Sequence, residues 1–226
     1  MIILTGASSG LGLAMLTSLS KIDFIYAIYN KNKPILNPIK NVKFIKVDLT
    51  SENAIKKFVG NLSVSKITVI HLAAFYKEKI LINMTSLEYE EHYLVNQKAI
   101  FLLNKYLLKD MIRDNWGRII MISSPAAIKG QPGTAGYAST KSSLTGLSRV
   151  IANEYAKFNV TSNVLVVGYF NLGIYKNLTE KTKQKLISSI PAKKLGNINS
   201  VINAIHFIMK SDFVNASIIN VDGGVI

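Results

Sequence analysis

The sequence predicts an α/β fold, a doubly wound parallel sheet built as one domain over residues 1–226. Three observations carry that expectation. A short apolar strand runs straight into a glycine-rich turn within the first twelve residues, short apolar runs alternate with helical patterns along the chain, and Ile67–Ile70 and Val164–Val167 lack charge, as strands buried on both faces do. The 226 residues suffice for one substantial core and not for a separate substrate domain as well.

Met1-Ile-Ile-Leu4 opens a strand over 1–5, and Thr5-Gly6-Ala7-Ser8-Ser9-Gly10-Leu11-Gly12 follows directly into a helix over 10–19. Such a turn suits a nucleotide. Gly6 permits the tight bend, Gly10 lets backbone approach a pyrophosphate, Gly12 allows helix to pack on strand, and the helix N-terminus adds amide donors. The spacing Gly-x-x-x-Gly-x-Gly differs from the commoner Gly-x-Gly-x-x-Gly. Strands at 24–29 and 43–47 come next with no helix evident between them, then a short helix near 51–60 and a strand at 67–72. Thr85-Ser-Leu-Glu88 is a capping box that starts a helix over 86–110. Gly117–Ser123 is too short for a helix and reads as a buried strand, with Ser124 at its carboxyl end. Helix 136–157, strand 161–167, helices 179–188 and 199–210 and a strand at 217–221 complete the order. Ligands in such sheets bind beyond the carboxyl ends of the strands, where the glycine turn, Ser124 and Gly168 all fall.

Composition narrows the function class. No run approaches eighteen apolar residues and the first strand starts at Met1, so neither a membrane span nor a signal peptide is expected and the protein reads as cytoplasmic. With no cysteine, disulfides and thiolate chemistry are excluded, and no metal is called for. The net charge of +14 raises nucleic acid as a partner, yet only three of the 27 basic residues are arginine and the lysines scatter from Lys21 to Lys210, so none is expected. A positive rim would still attract a phosphorylated, nucleotide-linked or carrier-linked substrate.

The chemistry centres on Tyr137-Ala-Ser-Thr-Lys141, whose tyrosine and lysine share one helix face. A free tyrosine titrates near about 10, and a neighbouring ammonium draws it towards the working range. Together, Thr-Gly-x-x-x-Gly-x-Gly, the strand ending at Ser124 and Tyr-x-x-x-Lys are similar, in order and spacing, to the short-chain dehydrogenase/reductases, 3-oxoacyl reductase-like members included. Asp48-Leu49, Val95-Asn96, Gly168 and Ile219-Asn-Val-Asp-Gly-Gly224 extend the resemblance over nearly the whole chain. It implies a Rossmann-type fold and an NAD(P)(H)-dependent oxidoreductase. Tyr137 would exchange a proton with the substrate oxygen, Ser124 would hold that oxygen, Lys141 would serve the tyrosine and the nicotinamide ribose, and Asn96 would hold a relay water. Gly6, Ser8, Ser9, Gly10, Leu11, Gly12, Asn30, Asp48, Leu49, Ala73, Ala74, Gly168 and Phe170 would line the cofactor, Asp48 meeting the adenine amino group.

The second strand ends Tyr29-Asn30-Lys31-Asn32-Lys33 without the acid that would hold the ribose hydroxyls of NAD, and no acidic residue falls between Asp23 and Asp48. Lys31 and Lys33 therefore point to NADP(H) through its 2′-phosphate; the plainer reading is two solvated lysines. Two departures stand out. His71-Leu-Ala-Ala74 replaces the usual Asn-Asn-Ala-Gly and looks like extended relatives that modify nucleotide sugars, although His71 reads first as a packed strand-end residue. Val167 replaces the usual proline before Gly168, and Leu172 stands where a threonine commonly helps to hold the carboxamide. A lid over 169–189, with Tyr169, Phe170, Ile174 and Tyr175 as apolar lining and support from 75–83 and 130–133, suits a carbonyl with an apolar or ring-shaped neighbour but does not identify a substrate, and the leading expectation is reduction of a ketone or 3-oxoacyl thioester. The alternatives are a sugar or nucleotide-linked sugar and, from another class, a non-catalytic dinucleotide-binding scaffold. Pairing of helices 86–110 and 136–157 would make a homo-oligomer, a tetramer or dimer.

Overall fold

The computed structural model describes residues 1–226 except 9, 64, 174, 176 and 177. Seven strands, β1 (Ile2–Thr5), β2 (Ile25–Tyr29), β3 (Val42–Lys46), β4 (Ile67–His71), β5 (Gly117–Ser123), β6 (Val160–Val167) and β7 (Ile218–Val221), form one parallel sheet in the order β3-β2-β1-β4-β5-β6-β7. Position explains composition. β4, β5 and β6 are buried at every residue, whereas the edge strands β3 and β7 are half-exposed and carry lysine and asparagine.

The helices are α1 (Gly10–Leu19), α2 (Glu52–Gly60), α3 (Ser86–Tyr93), α4 (Ala99–Arg113), α5 (Ala126–Lys129), α6 (Ala135–Tyr155), α7 (Glu180–Ser189) and α8 (Ile198–Lys210). One core packs α2, α4 and α6 onto the sheet through Ile55, Phe58, Leu103, Leu107, Met111, Leu144 and Ile151. The other packs α1 and α8 through Met15, Leu16, Leu19, Val201, Ile205 and Ile208. Each such side chain contributes about 1.5–3 kcal/mol of burial, so the sheet is clamped from both faces.

The capping box forms as its spacing predicts: Glu88 N–H donates to Thr85 Oγ1 (3.3 Å), and the Glu88 carboxylate accepts from Thr85 N–H (2.9 Å). The single helix expected over 86–110 is instead α3 and α4 joined by a π-helical turn, Leu94–Lys98, with Asn96 buried inside it. Between β2 and β3 the described chain has no helix, as expected, and residues 30–41 run over the surface with Ile35 fully exposed.

Candidate active site

The strand order reverses between β1 and β4, and a crevice opens above their carboxyl ends. Thr5 ties the two strands together there: its hydroxyl accepts from the N–H groups of Leu72 and Ala73, both at 3.0 Å. Gly6 has φ +70°, and a Cβ on it would lie 2.7 Å from the Ala73 nitrogen. A side chain at Gly12 would collide with the Gly6 carbonyl, so β1, the turn and β4 meet only because these positions are bare. The result is a cavity of about 460 Å³ lined by Gly6, Ser8, Leu11, Asn30, Leu49, Ala73 and Ala74, with Val95 behind them. Gly10 heads α1 within reach of Gly173, its missing Cβ 3.6 Å from that Cα, and Ser9 lies outside the described residues.

A dinucleotide fits this cradle: close-approach backbone, a helix N-terminus and small side chains converge where a pyrophosphate and adenosine would lie. Asn30 lines the cavity, while Lys31 and Lys33 are exposed just beyond it with no ion-pair partner among the described residues. Asp48 stands at the surface, its Oδ1 accepting from Thr50 N–H (2.9 Å) and Thr50 Oγ1 (2.7 Å).

Ser124 follows β5 and Tyr137 and Lys141 lie on α6, so two elements that meet at the carboxyl edge of the sheet bring the three together. Burial pushes the Tyr137 phenol above its usual range, the adjacent Ser124 hydroxyl pulling the other way. Lys141 is fully buried, its Nζ donates to the Ile122 carbonyl at 2.7 Å, and desolvation draws it down to about 8. Its ammonium lies 5.9 Å from the centre of the Tyr137 ring. One of the three ammonium protons goes to the Ile122 carbonyl, and at the phenol burial outweighs the Ser124 hydroxyl, so the balance in this structure runs against the lowering expected from Lys141. Ser123 points the other way, donating to the Lys141 carbonyl at 3.3 Å.

Asn96 is a clamp. Its Oδ1 accepts from Phe75 N–H (2.8 Å), and its Nδ2 donates to the Phe75 carbonyl (2.9 Å) and to Thr140 Oγ1 (3.2 Å). Thr140 in turn donates within α6 to the carbonyls of Gly136 (2.8 Å) and Tyr137 (2.9 Å). Both Nδ2 protons are spent, which leaves the Asn96 side chain only acceptor capacity at Oδ1 for a relay water. π-helical turns collect at functional positions, and this one packs against α6.

His71 ends β4 fully buried, its Nε2 donating to Asn104 Oδ1 at 2.8 Å, and burial holds its pKa down at about 4 against the one opposing hydrogen bond. It is a neutral packing residue, as its place at a strand end suggested. Gly168 backs onto the last strand, where a Cβ would lie 2.6 Å from Asp222 Cα. The Phe170 ring is buried against Gly196, and with Tyr169 it lines a second cavity of about 570 Å³. Tyr169 and Tyr175 pack edge to face, centroids 5.4 Å apart, and Ile174 lies outside the described residues.

Sequence reasoning missed Tyr76, Thr140 and Asn104. Asn104 carried a signal, a polar residue on the apolar face of α4; Tyr76 carried none, since only the folded loop sets it on Tyr137, ring centroids 5.2 Å apart.

Among the described residues no helix is long and apolar enough to cross a membrane, and no cluster of metal-ligating side chains occurs. The fold is shared with a candidate gluconate dehydrogenase from Agrobacterium tumefaciens, at TM-score 0.90 and 23% identity over 100% of this chain and 95% of that one. In sequence the chain is 32% identical to the 3-oxoacyl-[acyl-carrier-protein] reductase FabG of Buchnera aphidicola subsp. Baizongia pistaciae, covering 98% of this chain and 95% of that protein. It is 29% identical to the FabG of Rickettsia bellii, over 99% and 95%. The family model for short chain dehydrogenase matches residues 1–183, and with a cofactor cradle and a serine, tyrosine and lysine gathered above one sheet edge, this chain belongs to the short-chain dehydrogenase family of NAD(P)-dependent oxidoreductases.

Proposed function

We propose that the protein reduces a ketone or a 3-oxoacyl thioester to the alcohol, with NADP(H) preferred over NAD(H) and Tyr137 as the proton donor. The observation that carries this reading is the convergence of Ser124, Tyr137 and buried Lys141 beside the cradle. The nicotinamide cofactor, when bound, supplies the two electrons and one hydrogen of the reduction. The protein supplies the rest. Ser124 holds the carbonyl oxygen by donating to it, and Tyr137 delivers the phenolic proton as that oxygen gains charge. The buried phenol is in its protonated, donating form, and the Lys141 ammonium, 5.9 Å from the ring centre, would favour the phenolate left as the proton departs. Lys141, drawn down to about 8, can return a proton towards the tyrosine near neutral pH.

Substrate class is taken from the relatives, which are 3-oxoacyl-[acyl-carrier-protein] reductases. The sugar reading loses its main support, since His71 is a buried neutral partner of Asn104 and offers nothing to a substrate. A non-catalytic scaffold has no use for a desolvated lysine beside a buried tyrosine. NADP(H) preference rests on exposed Lys31 and Lys33 flanking Asn30 at the cavity rim. Residues 169–189 form the lid, and α4 and α6 pair in a homo-oligomer through a groove that exposes Phe101 and Val150 by about half. Cofactor oxidation measured over acetoacetyl thioesters, simple ketones and keto-sugars tests the reaction. Turnover of the first two classes is expected, and a protein that binds NADPH yet oxidises it with none would refute the proposal.

A further inference from the structure

The loop after β4 is held at almost every residue around Tyr76. Asn96 grips both backbone groups of Phe75, whose ring packs edge to face on buried His92 with centroids 4.9 Å apart. On the other side, Lys77 N–H donates to His92 Nε2 at 3.3 Å, and Lys77 and Lys79 both pair with Glu88 (2.9 and 2.8 Å). Tyr76 is fixed between these anchors, its ring at 89° to that of Tyr137 and 5.2 Å away. It is 43% exposed, so the core does not require it.

A second aromatic pair faces it. The order β4-β5-β6 sets the loops after β4 and β6 on either side of Ser124, and the latter loop carries Tyr169 and Tyr175. Two of the hydroxyls are engaged: Gln131 Nε2 donates to that of Tyr169 at 2.8 Å, and that of Tyr76 donates to Glu78 at 3.4 Å. Burial raises both Tyr76 and Tyr175, and each is raised further by Tyr169, as a mutually close set requires. The Tyr76 ring itself packs on that of Tyr137, so ring carbon borders that phenol. A flat apolar group gains stacking contact in such a slot, whereas a polyhydroxylated one is stripped of water against ring carbon.

We propose that Tyr76, opposed by Tyr169 and Tyr175, is a specificity-determining wall that selects ketones whose carbonyl neighbour is flat and apolar, an unsaturated ring or conjugated segment, over puckered or polyhydroxylated ones. This rests on the ketone-reductase reading and narrows it.

The test compares an aryl ketone with its cyclohexyl counterpart, equal in carbon count but puckered. The parent should favour the aryl compound in kcat/KM by about tenfold, the scale of one aromatic contact. Tyr76→Phe should keep that ratio and Tyr76→Ala should bring it near one, while NADPH affinity is unchanged. Tyr76→Leu, which fills space without a ring, repeats the measurement if alanine loosens the loop. A parent without preference, or alanine and leucine variants that keep it, overturns the inference. Calorimetric binding of the aryl alcohol to the complex with oxidised cofactor needs no turnover: weakening by about tenfold in Tyr76→Ala supports the wall, and equal affinity refutes it. If the parent reduces no ketone, the functional reading fails separately and this binding comparison still decides.

Discussion

The loops that leave β2 and β4 at the same edge of the sheet are built in opposite ways. The chain after β4 is pinned by Thr5, Asn96, His92 and Glu88 within eight residues, 72–79. After β2, residues 30–41 are mostly exposed, and their lysines have no ion-pair partner among the described residues. Under the proposed function the difference separates two tasks. Proton transfer fails when a donor is misplaced by an ångström or so, so its neighbourhood is over-determined. Attraction of a phosphate acts over a longer range and tolerates side chains that move.

The comparison can be broken most severely at the chemistry. Tyr137→Phe should lower turnover by roughly 10²–10⁴-fold with little change in NADPH affinity, because one oxygen is lost and the ring packing stays. Steady-state kinetics with a proven substrate check it, and near-parental turnover would move proton donation to another group. Asn96→Ala comes next. It strands the N–H and C=O of Phe75 and frees Thr140, so about 3–5 kcal/mol of stability should go, at 1–3 kcal/mol for each orphaned group. Chemical denaturation measures the loss, and hydrogen exchange should localise the loosening to 72–85 and not to 30–41.

His71 sharpens the contrast through pH. Its folded pKa of about 4 lies below the ordinary 6.5, so between those values the unfolded chain binds a proton that the native one refuses. Stability should therefore fall as pH drops through that window, by on the order of 3 kcal/mol in all. A His71→Gln protein should show a flatter dependence; parallel curves for the two proteins would mean that His71 is not held neutral. The smallest effect is expected at the loose loop. Lys31→Ala with Lys33→Ala should erase most of the NADPH preference, about tenfold for one solvent-exposed charge-assisted contact, and leave thermal stability alone. Titration of both cofactors against both proteins decides it, and equal affinities in the parent would remove the role assigned to these lysines.

What the sequence made legible follows the same division. Strand order, the capping box and the glycine turn are local or periodic features, and each could be placed within a residue or two from apolar runs and backbone requirements. Ser124, Tyr137 and Lys141 were legible because their spacing and flanking strand are local as well. The clamp was not. Asn96 meets Phe75 across 21 residues and Thr140 across 44, and no pattern in either segment announces the partner. The burial of the Tyr137 phenol was hidden for a related reason, since it is set by packing between elements far apart in the chain.

The wide turn at Leu94–Lys98 has one further consequence, for the phase of the helix around it. His92, Asn96 and Asn104 are all buried, at positions separated by multiples of four, and each holds a different structure: the 75–77 loop from two sides, and His71. A four-residue repeat drifts by about 40° per step on a straight α-helix, so three steps would carry the last residue about 120° off the line. A turn closed by i→i+5 bonds takes up about one extra residue and winds part of that drift back. Deleting one residue there would close the turn into a regular helix with α3 and α4 still in phase, so what such a deletion would disturb is the placement of Asn96 inside the turn.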